Sequence, residues 1–119
     1  MRLPLALALI LTALALRGAY AAPPEGADPA MAPWFHSLTQ PDTNYPCCSI
    51  SDCRPVKARI LAGHHEAFID KHSFGASAPD RWTWVPDENV LHGRMNPTGE
   101  PIACWYDGTV FCFVDGTSG

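Results

Sequence analysis

Five cysteines, unevenly placed, constrain this chain more than any other feature. Cys47, Cys48 and Cys53 crowd into seven residues, and Cys104 and Cys112 lie near the far end. Five cysteines close at most two internal bridges and leave one thiol over. A Cys47–Cys48 bridge fits poorly, because neighbouring Cα atoms sit only about 3.8 Å apart, below the usual disulfide range. Ser49 suits the cap of a short helical turn with Asp52 as its capping-box partner. If Ser49 to Cys53 is helical, the Cα atoms of Cys48 and Cys53 separate beyond the roughly 7 Å limit for bridging. Both local pairings are thus disfavoured, which turns the cluster toward Cys104 and Cys112.

Those two cysteines flank Asp107-Gly108, a strong hairpin signal joining strands at Ile102–Tyr106 and Thr109–Val114. A two-residue turn of this kind pairs Tyr106 with Thr109 and Cys104 with Phe111. Cys104 and Cys112 then point to opposite faces and cannot join each other. A three-residue loop spanning Asp107 to Thr109 would set them opposite one another, but Asp-Gly favours the shorter turn. Loop arithmetic also prefers long-range bridges: a Cys53–Cys104 loop is worth roughly 4 kcal/mol, a Cys48–Cys53 loop roughly 2. The expectation is therefore two bridges from cluster to hairpin, with Cys47 or Cys48 left over.

The compartment agrees with this chemistry. Met1-Arg2 forms a short positive start, and Leu3 to Leu16 is apolar except for Pro4 and Thr12. Ala19-Tyr20-Ala21 then fits a cleavage site, with cutting after Ala21. The run is short of the roughly 20 residues of a membrane span, and Arg17 ends it. Residues 1–21 are therefore expected to be a cleavable signal, and the protein periplasmic or secreted. Membrane contact is expected only through that signal during export. Removing 21 of the 119 residues leaves 98, enough for one small domain. In that mature chain 6 basic residues face 12 acidic ones, and no Lys/Arg cluster remains, which argues against nucleic-acid or anionic-membrane binding. Proline and glycine make up 19 of its 98 residues, a density that favours short strands and many turns. A domain this small is where disulfides supplement a limited core.

Residues 22–32 read as a flexible lead-in, 33–115 as the domain and 116–119 as a tail. Pro33 opens a short aromatic helix carrying Trp34, Phe35 and Leu38, which Pro41 stops. Val56 to Leu61 alternates, with Val56, Ala58 and Ile60 facing in. Ala62-Gly63-His64 turns into a second strand, His65 to Asp70, whose buried face holds Phe68 with either His65 or Ile69. After a loop, Arg81 to Val85 forms a third strand with Trp82 and Trp84 on one face. Asp87 to Leu91 makes one helical turn, and Asn96-Pro97-Thr98-Gly99 a tight one. The fold class is thus mainly β: about five short strands, two hairpins and one or two helical turns in a disulfide-stabilised single domain.

Several segments occur in one order: Trp34-Phe35-x-Ser37-Leu38, Cys47-Cys48-Ser49-x-x-Asp52-Cys53-Arg54-Pro55-Val56, Trp82-x-x-Val85-Pro86, Val90-Leu91, Asn96-Pro97-Thr98-Gly99, Cys104-Trp105 and Cys112-Phe113-Val114. The chain in this respect resembles an uncharacterised family of small exported alphaproteobacterial proteins, many from rhizobia-like bacteria. The match runs from about Trp34 to Val114. The resemblance implies a periplasmic or secreted β-rich module and carries no catalytic residues.

Three chemistries compete for the remaining signals. The leading one is a structural or binding module for an envelope protein or a glycan. In it Trp82, Trp84 and Trp105 are candidates for an aromatic platform. A domain poor in other large apolar residues is nevertheless expected to spend Trp82 and Trp84 on its core. The second is zinc or copper binding through Cys47, Cys48 and Cys53 with His64, His65 and Glu66, since thiolate and imidazole are the ligands those ions prefer. It lacks a CxxC pair, successive strand residues such as His64 and His65 point apart, and no cofactor is expected. The third is a thiol-redox or cysteine enzyme. Cys47, His65 and Asp52 supply the residue types for a nucleophile, base and orienting acid, but there is no CxxC, GxSxG, phosphate-cradling loop or HExxH. No catalytic residue is assigned.

Overall fold

In the computed structural model, residues 28–50 and 52–116 are described. The expected signal at 1–21, most of the lead-in and the tail beyond Gly116 lie outside them. A single turn of 3-10 helix, Pro29–Met31, is capped by the Asp28 carboxylate and runs into helix α1, Ala32–Ser37. Helix α2 spans Cys47–Ile50. Strands β1 (Asp52–Pro55), β2 (Ala58–Leu61) and β3 (His64–Ile69) follow, then helix α3 (Lys71–Phe74) and strand β4 (Arg81–Trp84). A 3-10 turn at Asp87–Asn89 leads on to β5 (Ile102–Tyr106) and β6 (Thr109–Val114).

Among the described residues, six strands make two antiparallel three-stranded sheets, β1-β5-β6 and β2-β3-β4. The fold is mainly β, as its turn-rich sequence implies. Both hairpins close on two residues with positive φ: Asp107 (47°) and Gly108 (83°), and Ala62 (50°) and Gly63 (81°). Such turns match the twist of the flanking strands, and glycine at the second position takes that conformation without a Cβ penalty.

The first sheet is buried on both faces. Toward the helices, Cys53, Ile102, Cys104, Cys112 and Val114 pack with Leu38, Cys47 and Leu91, and Trp34 and Phe35 of α1 close over them. Toward the second sheet, Ala103, Val110 and Phe113 meet Ala67, Ile69, Val85 and Val90. The second sheet is therefore packed on one face only. Val90 and Leu91 are buried as expected, and the Leu91 N–H donates to the Phe113 carbonyl at 2.8 Å.

Several expectations are corrected. A sixth strand exists, because Asp52–Pro55 pairs with β5; a cysteine and a proline hid a segment whose partner lies fifty residues away. The Ser49–Cys53 turn does not continue: α2 ends at Ile50, and Asp52 stands opposite Trp105. Phe68 is only half-buried, because Ala67 and Ile69 occupy the inner face of β3. Ile60 lies on the inward parity of β2 yet is 59% exposed, since that edge strand runs beyond the core. The segment 71–80 also contains α3, whose cap is the Asp70 carboxylate accepting from the Ser73 N–H at 2.6 Å.

The C-terminal hairpin keeps its two-residue turn and changes register inside. Tyr106 faces Thr109 and Trp105 faces Val110, but Cys104 faces Cys112. Phe111 is the extra residue, so Phe111 and Cys112, although consecutive, both turn to the helical side. A bulge frees carbonyls from the ladder, and buried ones need other donors. Here Asn89 Nδ2 donates to the Val110 carbonyl at 3.0 Å and Gln40 Nε2 to the Phe111 carbonyl at 3.2 Å. Gln40 Nε2 also donates to Asn89 Oδ1 at 2.9 Å, so one side-chain pair serves the whole bulge.

Candidate functional site

Register alone brings the cysteines together. Cys53, Cys104 and Cys112 sit in one row across the first sheet, because residues directly opposite in a ladder share a face. Cys53 bridges to Cys104 across adjacent strands, with Cα atoms 4.0 Å apart. Cys112 bridges to Cys47 at the start of α2, with Cα atoms 5.9 Å apart. Although the bulge sets Cys104 opposite Cys112, the two join separate bridges to the cluster.

Cys48 is the free cysteine, half-buried. Its Sγ lies 2.8 Å from the Cys53 Sγ and 3.5 Å from the Phe35 carbonyl oxygen. The Sγ atoms of Cys48, Cys53 and Cys104 all fall within 4.8 Å of one another. The helical separation expected for Cys48 and Cys53 is thus overturned: ending α2 at Ile50 lets the chain bring both sulfurs to one point. Burial pushes the Cys48 thiol up to about 11, the Asp52 carboxylate adds to the rise, and Arg54 opposes it. Reactive catalytic thiols are depressed, not raised. The environment keeps Cys48 protonated at neutral pH.

The metal-ligand set expected of the cluster and the histidines does not assemble. Cys47 is committed to a bridge, and among the described residues the one group of three close ligand atoms contains neither His64 nor His65. The two histidines diverge as strand neighbours do: His64 Nδ1 lies 3.4 Å from Asp87, and His65 Nε2 lies 3.2 Å from Asp115. Glu66 instead holds Arg59 at 2.9 Å. Asp52 pairs with Arg54 at 3.8 Å, Cys47 is in a bridge and His65 faces Asp115, so the nucleophile–base–acid triple of Cys47, His65 and Asp52 does not assemble.

His65 also lines a cleft of about 270 Å³ with Leu91, His92, Arg94, Met95 and Asp115. The His65 ring rests on Phe113, 5.2 Å between centroids. On its rim Arg94 donates to the Ser37 carbonyl and hydroxyl, and Trp34 Nε1 donates to the Met95 carbonyl at 2.8 Å. These bonds dock α1 onto the loop that follows Leu91.

The tryptophans divide differently from expectation. Trp105 is half-buried beside the inter-sheet core, 6.2 Å from the Phe74 ring. Trp82 and Trp84 are not core residues. They share the outer face of the second sheet with Glu66 and Phe68, which register sets opposite Trp84 and Trp82, and with Arg59, which stands opposite Glu66. The reason is volume: Phe113 from the first sheet fills the inter-sheet space, and alanine, isoleucine and valine suffice on the inner side. Trp82 packs edge-on against Phe68 at 5.5 Å, and the Arg59 guanidinium lies 4.1 Å over its ring. Trp84 is 55% exposed, with His64 6.2 Å away edge-on, and Leu61 beyond is 54% exposed. No signal of periodicity could have chosen which face of Arg81–Trp84 meets the core, because both faces of the strand read as usable. No protein-family model, curated protein or solved structure matches the chain.

Proposed function

We propose that this is an exported, non-enzymatic binding module that docks an envelope or extracellular protein on the outer face of its second sheet. The observation that carries the reading is Trp84, 55% exposed on a sheet face it shares with the Arg59–Trp82 stack. Tryptophan and arginine dominate the energetic centres of protein interfaces, where a rigid aromatic offers area at low entropy cost. Leu61 extends the apolar surface, and the Arg59–Glu66 pair supplies a polar border. A glycan fits less well, because sugars stack on open ring faces and Arg59 already covers Trp82. Export is supported by the signal-like first 21 residues and by two disulfides, which persist in oxidising compartments.

A photo-crosslinking residue placed at Leu61 or Trp84, in the protein exported by its own cells, tests the reading. One defined protein adduct is expected from these positions, with none from the exposed Lys71 on α3. Adducts of equal yield and pattern from all three positions, or none at all, would refute it. Quenching of Trp84 fluorescence by soluble oligosaccharides would move the occupant to the glycan class.

A further inference from the structure

We propose that Cys48, Cys53 and Cys104 form a three-sulfur exchange site, in which the Cys48 thiol displaces Cys104 from its bridge. The attacking and attacked sulfurs are already in contact, 2.8 Å from Cys48 Sγ to Cys53 Sγ, and Cys104 Sγ completes the group within 4.8 Å. Thiol–disulfide exchange needs this arrangement of nucleophile, central sulfur and leaving sulfur. The step balances without an external redox partner. The Cys48 thiol loses its proton to solvent, and the thiolate forms a bond to Cys53 Sγ. The Cys53–Cys104 bond breaks, and its electron pair leaves on Cys104 Sγ, which takes up a proton. Two bridges and one thiol are present before and after.

The neighbours set the rate rather than the direction. Only the thiolate attacks, and burial together with Asp52 on β1 holds Cys48 in its protonated form, while Arg54 on the same strand works the other way. From α1 the group facing Cys48 is the Phe35 carbonyl, which accepts from the thiol. Exchange is therefore slow at neutral pH and accelerates about tenfold per pH unit toward pH 11, as the thiolate fraction grows. Its product replaces a tie spanning 51 residues of sequence with a local one inside the cluster, and moves the thiol into the sheet. Cys47–Cys112 stays intact and keeps α2 on β6.

The test uses the full mature chain, incubated between pH 7 and 10, quenched in acid, then denatured and alkylated at low pH. Peptide mapping shows which cysteine is free. Label on Cys104 as well as Cys48 is expected, arising at a rate independent of protein concentration and rising with pH. The Cys48→Ser variant should carry no label at any position. The Cys104→Ser variant, folded in a glutathione redox buffer, should carry no free thiol, because Cys48 and Cys53 bridge. Label confined to Cys48 at every pH, or two free thiols in Cys104→Ser, would overturn the proposal. Label on Cys47 or Cys112 would mean general scrambling and would overturn it as well.

Discussion

The two sheets are built from strands of similar length, yet one is closed and the other open. The first, β1-β5-β6, is covered by helices on one face and by its neighbour on the other, and both disulfides anchor in it. The second, β2-β3-β4, holds no cysteine, and it presents Trp84 and Leu61 to solvent. A small domain lacks the volume to give each sheet two apolar partners. Covalent ties concentrate in the sheet that is packed on both faces, and the other sheet keeps large aromatic side chains outside. On the proposed reading, stability and recognition fall to different sheets.

The largest effect is expected at the bridges. Replacing Cys47 and Cys112 together by serine removes a cross-link with a sequence separation of 65. The chain-entropy estimate for such a loop is about 4 kcal/mol, read as a lowered denaturant midpoint at pH 7. Cys104→Ser should cost less, about 2 kcal/mol, because Cys48 is placed to re-form a short loop with Cys53 and recover the rest. Equal losses in the two variants would show that the two bridges are not unequal in this way.

Next in size is the bulge. Asn89 is 7% exposed and satisfies the Val110 carbonyl while bonding to Gln40. Asn89→Ala leaves a buried carbonyl unpaired and should cost about 1–3 kcal/mol. Hydrogen exchange of β6 amides should quicken in this variant while β3 keeps its protection. If both sheets loosen together, they form one cooperative unit and the contrast between them weakens.

A smaller effect appears with pH. The Cys48 thiol is raised from 9.0 to about 11 on folding, so the native state holds its proton more tightly than the unfolded chain does. That contribution is complete below pH 9 and is lost as pH climbs from 9 to 11. Denaturant melts across this window should show declining stability in the wild type and a flatter profile in Cys48→Ala. Partial exposure of the thiol keeps the change modest. A profile identical in both proteins would place the alkaline sensitivity elsewhere.

Local chemistry was legible in the sequence, and so was the run of both bridges from cluster to hairpin, whereas strand pairing across distance was not. Asp107-Gly108 announces its turn, Pro86 its 3-10 helix, and the apolar residues Val90 and Leu91 their burial. The bulge at Phe111 was invisible, because its cause is a pair of side-chain amides at positions 40 and 89. β1 was invisible for a similar reason: four residues containing a proline become a strand only when β5 stands beside them. The contact of Cys48 with Cys53 follows from β1, so missing the strand meant missing the sulfur cluster. The faces of Trp82 and Trp84 depend on Phe113 already filling the space inside, a question of volume between sheets that alternation along one strand cannot answer.

The smallest expected change in stability lies on the open face. Trp84→Ala removes a large side chain that is more than half exposed and belongs to neither core cluster. Surface substitutions of this kind stay within about 0.5 kcal/mol, so its denaturation curve should nearly overlay the wild type. Arg59→Ala should cost somewhat more, about 1 kcal/mol, because it loses both the stack on Trp82 and the bond to Glu66. Crosslinking from Leu61 should nevertheless fall sharply in both variants, since a residue can matter little to the fold and much to a partner. A Trp84→Ala protein that melts as early as the bridge variants would mean that this tryptophan serves the fold, and the open sheet would lose its claim to be a recognition surface.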